Sequence, residues 1–155
     1  MNSNVVIIPF SDTCSEAIKT LNLEWLTKYF KVEPKDKMVL SSPKSEIIEK
    51  GGFIFYAQYQ GSIVGTVSHL KIDETTFELS KMAVTSSVQG IGIGKRMLEY
   101  CFEFAKNNNI NRFILYSNRS LESAIHLYTK YGFNEIPLEA GIYERADIKM
   151  EKSIL

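Results

Sequence analysis

A glycine-rich segment at residues 87–98, SVQGIGIGKRML, has glycines at alternate positions, Gly90, Gly92 and Gly94. Glycine loses more conformational entropy on folding than any other residue, so this density indicates a local backbone requirement. Either a turn needs positive φ, or a bulky group approaches bare backbone. The segment lies between a predicted strand and a predicted helix, where free N–H groups and the positive end of the helix dipole converge. It therefore predicts a phosphate-binding turn.

Two common phosphate-binding motifs do not fit the spacing of these glycines. A Walker A loop would need a glycine at position 89, where the chain has Gln89, and a hydroxyl residue after Lys95, where it has an arginine. A dinucleotide fingerprint, G-x-G-x-x-G, counted from Gly90 would place its third glycine at Lys95. The pattern that remains is Gln/Arg-x-x-Gly-x-Gly/Ala, which residues 89–94 satisfy.

With this pattern the chain resembles the GNAT superfamily of acetyl-CoA-dependent N-acetyltransferases. The preceding strand, ELSKMAV, and the later segment AIHLYTKYGF match in order and distance, so the resemblance covers residues 53–133 well and the N-terminal third loosely. It implies a single α/β domain over residues 1–155, with a mixed, mostly antiparallel twisted sheet of about seven strands and helices on both faces. It also implies direct acetyl transfer, in a ternary complex and without a metal, from acetyl-CoA to a primary amine of a small molecule or peptide. A homodimer is compatible with the resemblance, and a non-catalytic acyl-CoA sensor of the same fold is the alternative.

The resemblance also implies how the donor is held. The amides of the turn bind the pyrophosphate of coenzyme A, and the pantetheine arm pairs with backbone groups at the end of the preceding strand. By position, the donor-binding residues are Met82, Ala83, Val84, Gln89, Gly90, Ile91, Gly92, Ile93, Gly94 and Lys95. Many relatives bind the pantetheine with an asparagine at the position of Leu121, so either Asn118 reaches it from the strand end or that bond is missing.

Two residues are predicted to move protons. Tyr128 stands where the family has a tyrosine that protonates the leaving thiolate; since a phenol has a pKa of about 10 and a thiol of about 8.5, donation of a hydrogen bond is as credible as full transfer. Glu78 is the candidate base, direct or through water, because an amine of pKa about 8 to 10 is mostly protonated at neutral pH. Strand alternation predicts that Glu78 and Met82 share a face. Some relatives use only water chains, and His69 is a second candidate.

The acceptor site is predicted from the first helices and the last hairpin, where the family varies most. These segments contribute Glu24, Trp25, Tyr29, Glu33, Asp36, Tyr143 and Arg145. The carboxylates would recruit a cationic amine, and the aromatic rings would hold its stem or ammonium by cation–π attraction. Arg145, if it faces the site, would pair with a substrate carboxylate and favour an amino-acid-like acceptor over a polyamine. Each charged residue also fits a solvated surface.

Periodicity and turn residues predict the elements that position these groups. The predicted strands are 5–8, 53–59, 63–70, 77–84, 112–117, 133–136 and 142–151, and the predicted helices run through 17–30, 47–48, 93–107 and 121–131, with a loop at Pro34. This order indicates a mixed α/β sheet with helices packed on its faces.

Composition limits the class of protein. The chain has 155 residues, of which 45% are hydrophobic and 23% charged, with a formal net charge of zero. Zero net charge disfavours nucleic-acid and anionic-membrane partners. Its apolar runs are too short for a signal peptide or a membrane span, and Cys14 and Cys101 fit neither a disulfide framework nor a metal cluster. We therefore expect a cytoplasmic enzyme.

Overall fold

The computed structural model describes residues 4–154, and its elements follow the apolar segments of the sequence. The strands are β1 (Val5–Pro9), β2 (Phe53–Tyr59), β3 (Ser62–Lys71), β4 (Thr76–Val84), β5 (Arg112–Ser117), β6 (Asn134–Ile136) and β7 (Ile148–Ser153). The α-helices are α1 (Ala17–Tyr29), α2 (Pro34–Ser41), α3 (Ile93–Asn107) and α4 (Glu122–Lys130). Single turns at Asp12–Cys14, Lys44–Ile48 and Ser86–Val88 complete the helical part of the described chain.

The strands form one sheet in the order β1-β2-β3-β4-β5-β7-β6, in which β4 and β5 are parallel and the other neighbours antiparallel. Alternate residues of each strand point to opposite faces, and two apolar clusters result. On one face Phe55 packs with Met97 and Cys101 of α3, and on the other Ile54 packs with Leu26 of α1 and the α2 side chains. The α/β sheet with helices on both faces, predicted from the sequence, is confirmed.

A bulge in β4 changes which side chains share a face. Ser80 pairs with Ser68 and Ala83 with Thr66, so two residues of β4 stand opposite one of β3, and Lys81 takes a φ of 52°. Such an extra residue reverses the alternation beyond it. Phe77 and Leu79 contact the α3 cluster before the bulge, whereas Met82 and Val84 contact it after the bulge. The prediction that Glu78 and Met82 share a face was therefore wrong.

Strands β4 and β5 separate soon after they meet. They pair from Thr76 with Arg112 to Glu78 with Ile114, and the described structure records no further pairs. Beyond Glu78 the side of β4 toward β5 therefore has no neighbouring strand, although β4 continues to Val84 and β5 to Ser117. This divergence opens a cleft between the carboxyl ends of the two strands.

Two further expectations about elements were wrong. Pro34 does not mark a loop but begins α2, where a proline in the first turn costs no hydrogen bond. Glu33 and Asp36 form a capping box there, in which the Glu33 backbone N–H donates to Asp36 Oδ2 at 3.0 Å. The final strand begins only at Ile148, so Arg145 lies in an irregular segment that precedes the strand.

His69 is buried in the core rather than beside the cleft. It has no exposed surface and lies among Phe55, Phe104 and Phe113, with ring centroids 5.0–5.7 Å away. Neither ring nitrogen has a hydrogen-bond partner within residues 4–154, and burial lowers the pKa of His69 to about 3. A neutral core imidazole without access to the cleft cannot take a proton from a substrate there, so His69 does not fit its role as the second candidate for the base.

The buried neutral His69 predicts a pH-dependent stability. In the unfolded chain the imidazole binds a proton near its ordinary pKa of about 6.5, whereas in the folded chain it does so only near 3. Acidification therefore favours unfolding in this window, and His69 alone should lower the free energy of unfolding by about 2 kcal/mol between pH 7 and pH 5. We expect His69→Leu to remove this part of the slope in urea unfolding at several pH values. The control is His126→Gln, at an exposed histidine, and equal slopes for parent and His69→Leu would contradict the prediction.

Candidate active site

A cavity of about 610 Å³ occupies the cleft between β4 and β5. The end of β4, the glycine turn, the first turn of α3, the end of β5, α4 and the residues Tyr143, Arg145 and Ala146 all contribute to its wall. Of the predicted donor-binding residues, the wall includes Met82, Ala83, Val84, Gln89, Gly90, Gly92, Ile93, Gly94, Lys95 and Asn118. Ile91 is absent from the wall and is 39% exposed. Tyr128 and Glu78 both line the same cavity.

The backbone conformation favours glycine at two of the three positions in the turn but not at the third. Gly90 and Gly92 have φ values of 90° and 87°, in the left-handed region that favours glycine. Gly94 is not in that region, and a Cβ built on it would meet only Met82 Cε, at an ordinary 3.5 Å. The fold therefore does not require glycine at position 94. A glycine is required there only if a ligand approaches the backbone closely.

The N-terminus of α3 presents free donors to the cavity. Gly92 is the N-cap without a side-chain cap, its carbonyl accepts the first helical hydrogen bond from Arg96 N at 3.0 Å, and the first turn has no acidic residue. The backbone N–H groups of Ile93, Gly94 and Lys95 consequently have no acceptor within the helix. Free amides and the positive end of the helix dipole together favour a phosphate or diphosphate group.

Tyr128 reaches the cavity from α4. Its ring is partly buried and packs edge to face on Phe133, with centroids 5.8 Å apart. Its hydroxyl makes no hydrogen bond to any residue in the range 4–154, and burial raises the pKa of Tyr128 to about 12. The raised pKa widens the gap to an ordinary thiol, so this hydroxyl is better suited to donate a hydrogen bond than to give up its proton fully.

Glu78 enters the cavity from β4 and is only 5% exposed. The Tyr143 hydroxyl donates a hydrogen bond to Glu78 Oε2 at 3.2 Å. Burial raises the pKa of Glu78, and this effect outweighs the opposing influence of Lys35, Tyr143 and Lys81. A carboxylate with a raised pKa is a stronger base at neutral pH, which suits the removal of a proton from an ammonium group.

A buried ion cluster that includes two residues of the wall, Lys81 and Arg145, lies next to Glu78. Asp36 is fully buried and accepts hydrogen bonds from Lys81 Nζ at 2.8 Å and from both terminal nitrogens of Arg145 at 2.7 and 2.9 Å. Burial alone would raise the pKa of Asp36, but the bonds from Arg145 and Lys81 outweigh it and lower the pKa to about 2. Arg145 also donates to Glu33 at 2.9 Å. The cluster ties α2, β4 and the irregular segment together.

The predicted acceptor residues divide into two groups. Trp25, Tyr29 and Arg145 line the cavity, together with Tyr143. Glu33 and Asp36 do not line it, because the ion cluster holds them behind the wall.

Glu24 is also absent from the wall. Its carboxylate accepts hydrogen bonds from the Thr85 hydroxyl and from Ser86 N, both at 2.8 Å. These three acids, Glu24, Glu33 and Asp36, therefore do not form a surface that recruits cations, and that part of the sequence prediction was wrong.

Asn118 lines the cavity, but much of its amide is already bonded. Its Nδ2 donates to the Arg145 carbonyl at 2.6 Å, and its Oδ1 accepts from Ser120 N at 2.9 Å. The amide thus braces the irregular segment against the end of β5. One N–H of Nδ2 is left for a ligand.

Sequence reasoning missed Lys81. This residue lines the cavity, is 6% exposed and supplies one of the two cations of the buried cluster. A lysine between Ser80 and Met82, within an otherwise buried strand, was the available signal. A buried ammonium group needs an oppositely charged partner, but the sequence of the strand does not identify that partner.

Known proteins resemble this chain in sequence and in fold. A family model described as Acetyltransferase (GNAT) family matches residues 18–133. Probable N-acetyltransferase san of Drosophila melanogaster is 27% identical over 135 residues, which cover 84% of this chain and 68% of that protein. N-acetylaspartate synthetase of Danio rerio is 33% identical over 87 residues, which cover 56% of this chain and 31% of that protein. The matched part of the chain thus spans less than half the length of this relative. The same holds for two further relatives, N-acetyltransferase 8B of Homo sapiens and N-acetyltransferase 8 of Rattus norvegicus, of which it covers 43% and 44%.

Solved structures repeat the fold over nearly the whole chain. An acetyltransferase of the GNAT family from Staphylococcus aureus Mu50 has a TM-score of 0.86 at 22% identity, covering 97% of this chain and 99% of that one. A Bacillus subtilis acetyltransferase in complex with CoA has a TM-score of 0.74 at 21% identity, with coverages of 97% and 99%. A GNAT acetyltransferase from Elizabethkingia anophelis with bound acetyl-CoA has a TM-score of 0.66 at 23% identity, with the same coverages.

In the range 4–154, no helix combines the length and apolar character that crossing a membrane requires. The same residues hold no group of three or more His, Cys, Asp or Glu side chains placed to bind a metal ion.

Gly94 offers a direct test of the phosphate-binding turn. We expect Gly94→Ala to keep or slightly raise the melting temperature of the ligand-free protein, because the new methyl has room and alanine favours helix. The same methyl should weaken the binding of acetyl-CoA by about tenfold or more, roughly 1.4 kcal/mol, because it occupies the space of the phosphate. Isothermal titration calorimetry and thermal shift measure the two effects. Unchanged affinity for acetyl-CoA would show that the turn does not hold the phosphates.

Proposed function

This chain belongs to the acetyltransferase (GNAT) family, and we propose that it transfers the acetyl group of acetyl-CoA to a primary amine of a small molecule or peptide. The amine would attack directly, in a ternary complex. The observation that carries the proposal is that one cavity contains the free amides of α3, the hydroxyl-bearing Tyr128 and the carboxylate of Glu78. These are the groups that phosphate binding, support of the leaving thiolate and deprotonation of an amine require.

The donor would lie along the diverged edge of β4. The amides of Ile93, Gly94 and Lys95 would hold its pyrophosphate, and the backbone of residues 82–84 would pair with the amides of its pantetheine arm. Two of the similar structures hold CoA or acetyl-CoA, which supports this placement. A backbone N–H of the same edge would polarise the thioester carbonyl, and a comparable oxyanion donor contributes about 2.7–4 kcal/mol.

The acceptor would bind at the opposite end of the cavity, between Trp25, Tyr29 and Tyr143. Glu78 would take a proton from the ammonium form, so that a neutral amine attacks the carbonyl carbon. The C–N bond forms as the C–S bond breaks, and Tyr128 would donate a hydrogen bond to the departing thiolate. Tyr143 would hold the Glu78 carboxylate in place through its 3.2 Å hydrogen bond.

A non-catalytic acyl-CoA sensor of the same fold remains the second reading. The raised pKa of the buried Glu78, within the same cavity as Tyr128, supports catalysis instead, because ligand binding alone requires no base. The single-domain organisation, the homodimer and the cytoplasmic location stay predictions from the sequence.

Tyr128→Phe tests the support of the leaving group. We expect kcat to fall roughly ten- to a thousandfold while the affinity for acetyl-CoA is kept, because only the hydroxyl is lost. Release of free thiol under conditions where chemistry limits the rate measures the effect. Tyr131→Phe is the matched control, since the Tyr131 hydroxyl bonds to Glu99 and Tyr131 is not part of the cavity wall. An unchanged kcat for Tyr128→Phe would remove Tyr128 from the mechanism.

Glu78→Gln tests the base. Glutamine can still accept the Tyr143 hydrogen bond but cannot take the proton, so we expect kcat/KM to fall on the order of a hundredfold near neutral pH. The deficit should shrink as the pH approaches the pKa of the acceptor, because the free amine then needs no base. In the parent, kcat/KM should fall on the acidic side with an apparent pKa above the ordinary carboxylate range, because the pKa of Glu78 is raised. This acidic limb of the pH–rate profile should vanish in the variant.

Glu24→Gln is the control for this experiment, because Glu24 is a carboxylate outside the cavity wall. It should leave the pH profile of the parent unchanged. Overlapping profiles for the parent and Glu78→Gln would mean that water carries the proton.

A further inference from the structure

An exposed lysine outside the cavity wall lies beside Tyr143, which belongs to the wall at the acceptor end. Lys35, in the first turn of α2, places its ammonium 4.6 Å from the centroid of the Tyr143 ring. The other end of the same ring carries the hydroxyl that bonds to Glu78. The Lys35 charge is close enough to lower the pKa of Glu78 against the effect of burial. Lys35 therefore acts electrostatically on the place where the reacting amine must meet the base.

Lys35 has no carboxylate partner within 4 Å among residues 4–154. Lys81 and Arg145 also lie over the Tyr143 ring, at 5.3 and 5.0 Å, but Lys81 is paired with Asp36 and Arg145 with both Asp36 and Glu33, so two carboxylates balance these two cations. Of the three cations on this ring, Lys35 is thus the one whose charge is left for a ligand.

An acceptor with a second ammonium group would find no free carboxylate near Lys35 among the described residues. Glu24, Glu33 and Asp36 are bonded to protein groups, and Glu78 is the only acid in the cavity wall formed by the described residues. Since Glu78 is needed for the reacting amine, a further ammonium would find no free carboxylate in the described wall and would be repelled by the unpaired Lys35. A polyamine is disfavoured there, whereas a nearby anionic group would find an opposite charge.

We propose that Lys35 is a specificity-determining residue that selects acceptors with a carboxylate next to the amine that is acetylated. This inference rests on the proposed acetyl transfer and names the substrate class of the same site. It assigns to Lys35 the role that sequence reasoning gave to Arg145, whose guanidinium is bound on three of its N–H groups by Glu33 and Asp36. Lys35 is exposed and can move toward a substrate, which the clamped Arg145 cannot do.

The test compares amines that differ only in the carboxylate. The pairs are phenylalanine with phenethylamine, tyrosine with tyramine, and lysine with cadaverine, each assayed for kcat/KM by thiol release from acetyl-CoA. We expect the parent to prefer the carboxylate member of each pair by about tenfold or more, which is the effect of one well-placed charge pair. Lys35→Gln should bring the ratio close to one, and Lys35→Glu should reverse it.

Lys37→Gln and Lys37→Glu are the matched controls. Lys37 is an exposed lysine on the same helix, and two residues of separation turn it away from the Lys35 direction. These controls should keep the parental ratio, because they change the net charge by the same amount without changing the acceptor end.

The possible failures are distinguishable. A parental ratio of one or below, or an equal loss of preference in the Lys37 variants, would overturn the role of Lys35 while acetyl transfer stands. Thiol release with neither member of any pair, nor with spermidine, would overturn the proposed transfer and this inference with it.

Discussion

The divergence of β4 from β5 beyond Glu78 is the constraint on which the rest of the site depends. Backbone N–H and C=O groups inside a sheet are normally paired with a neighbouring strand, and here the edge of β4 toward β5 is left without one. A ligand with its own amides can complete that edge as a strand would. The same opening lets the first turn of α3, Tyr128 and Glu78 face a common space, although they come from three separate elements.

Contacts of the Lys81 backbone and of its ammonium group stabilise the conformation of that edge. Its backbone takes a left-handed conformation that costs energy for a non-glycine residue, and its carbonyl accepts a hydrogen bond from Asn22 Nδ2 at 3.1 Å. Its ammonium is bonded to the buried Asp36 at 2.8 Å. A buried carboxylate is tolerated only when it is paired, and removing one partner from such a cluster typically costs about 3–5 kcal/mol. The charges of the cluster therefore serve the scaffold, and the surface chemistry of the acceptor end is left to fewer groups.

Burial acts in the same direction on the two residues proposed to handle protons, Glu78 and Tyr128, but with different consequences for the proposed chemistry. In both cases burial disfavours the ionised form and raises the pKa. For Glu78 this makes a better base, since its raised pKa is closer to the pKa of the ammonium group that must lose a proton. For Tyr128 it makes a poorer acid but leaves a hydroxyl that can donate to growing negative charge on sulfur. The environment thus separates the roles of two groups that share one cavity.

The sequence by itself determined the order of most elements, the glycine turn at residues 90–94, and Tyr128 and Glu78 as cavity residues. The elements and the turn depend on local patterns, namely apolar periodicity and the density of glycines. Tyr128 is assigned by the resemblance to the family, and Glu78 by its place in the strand before the turn. Only the tertiary structure decided that Pro34 begins a helix with a capped first turn, that β4 has a bulge, and that Asp36 is shared by Lys81 and Arg145. Those partners are 45 and 109 positions from Asp36, so no local spacing reports their pairing. Whether a charged residue is free for a substrate or bound within the protein is a property of such distant contacts, because the energy of a buried charge is set by whatever the fold brings beside it.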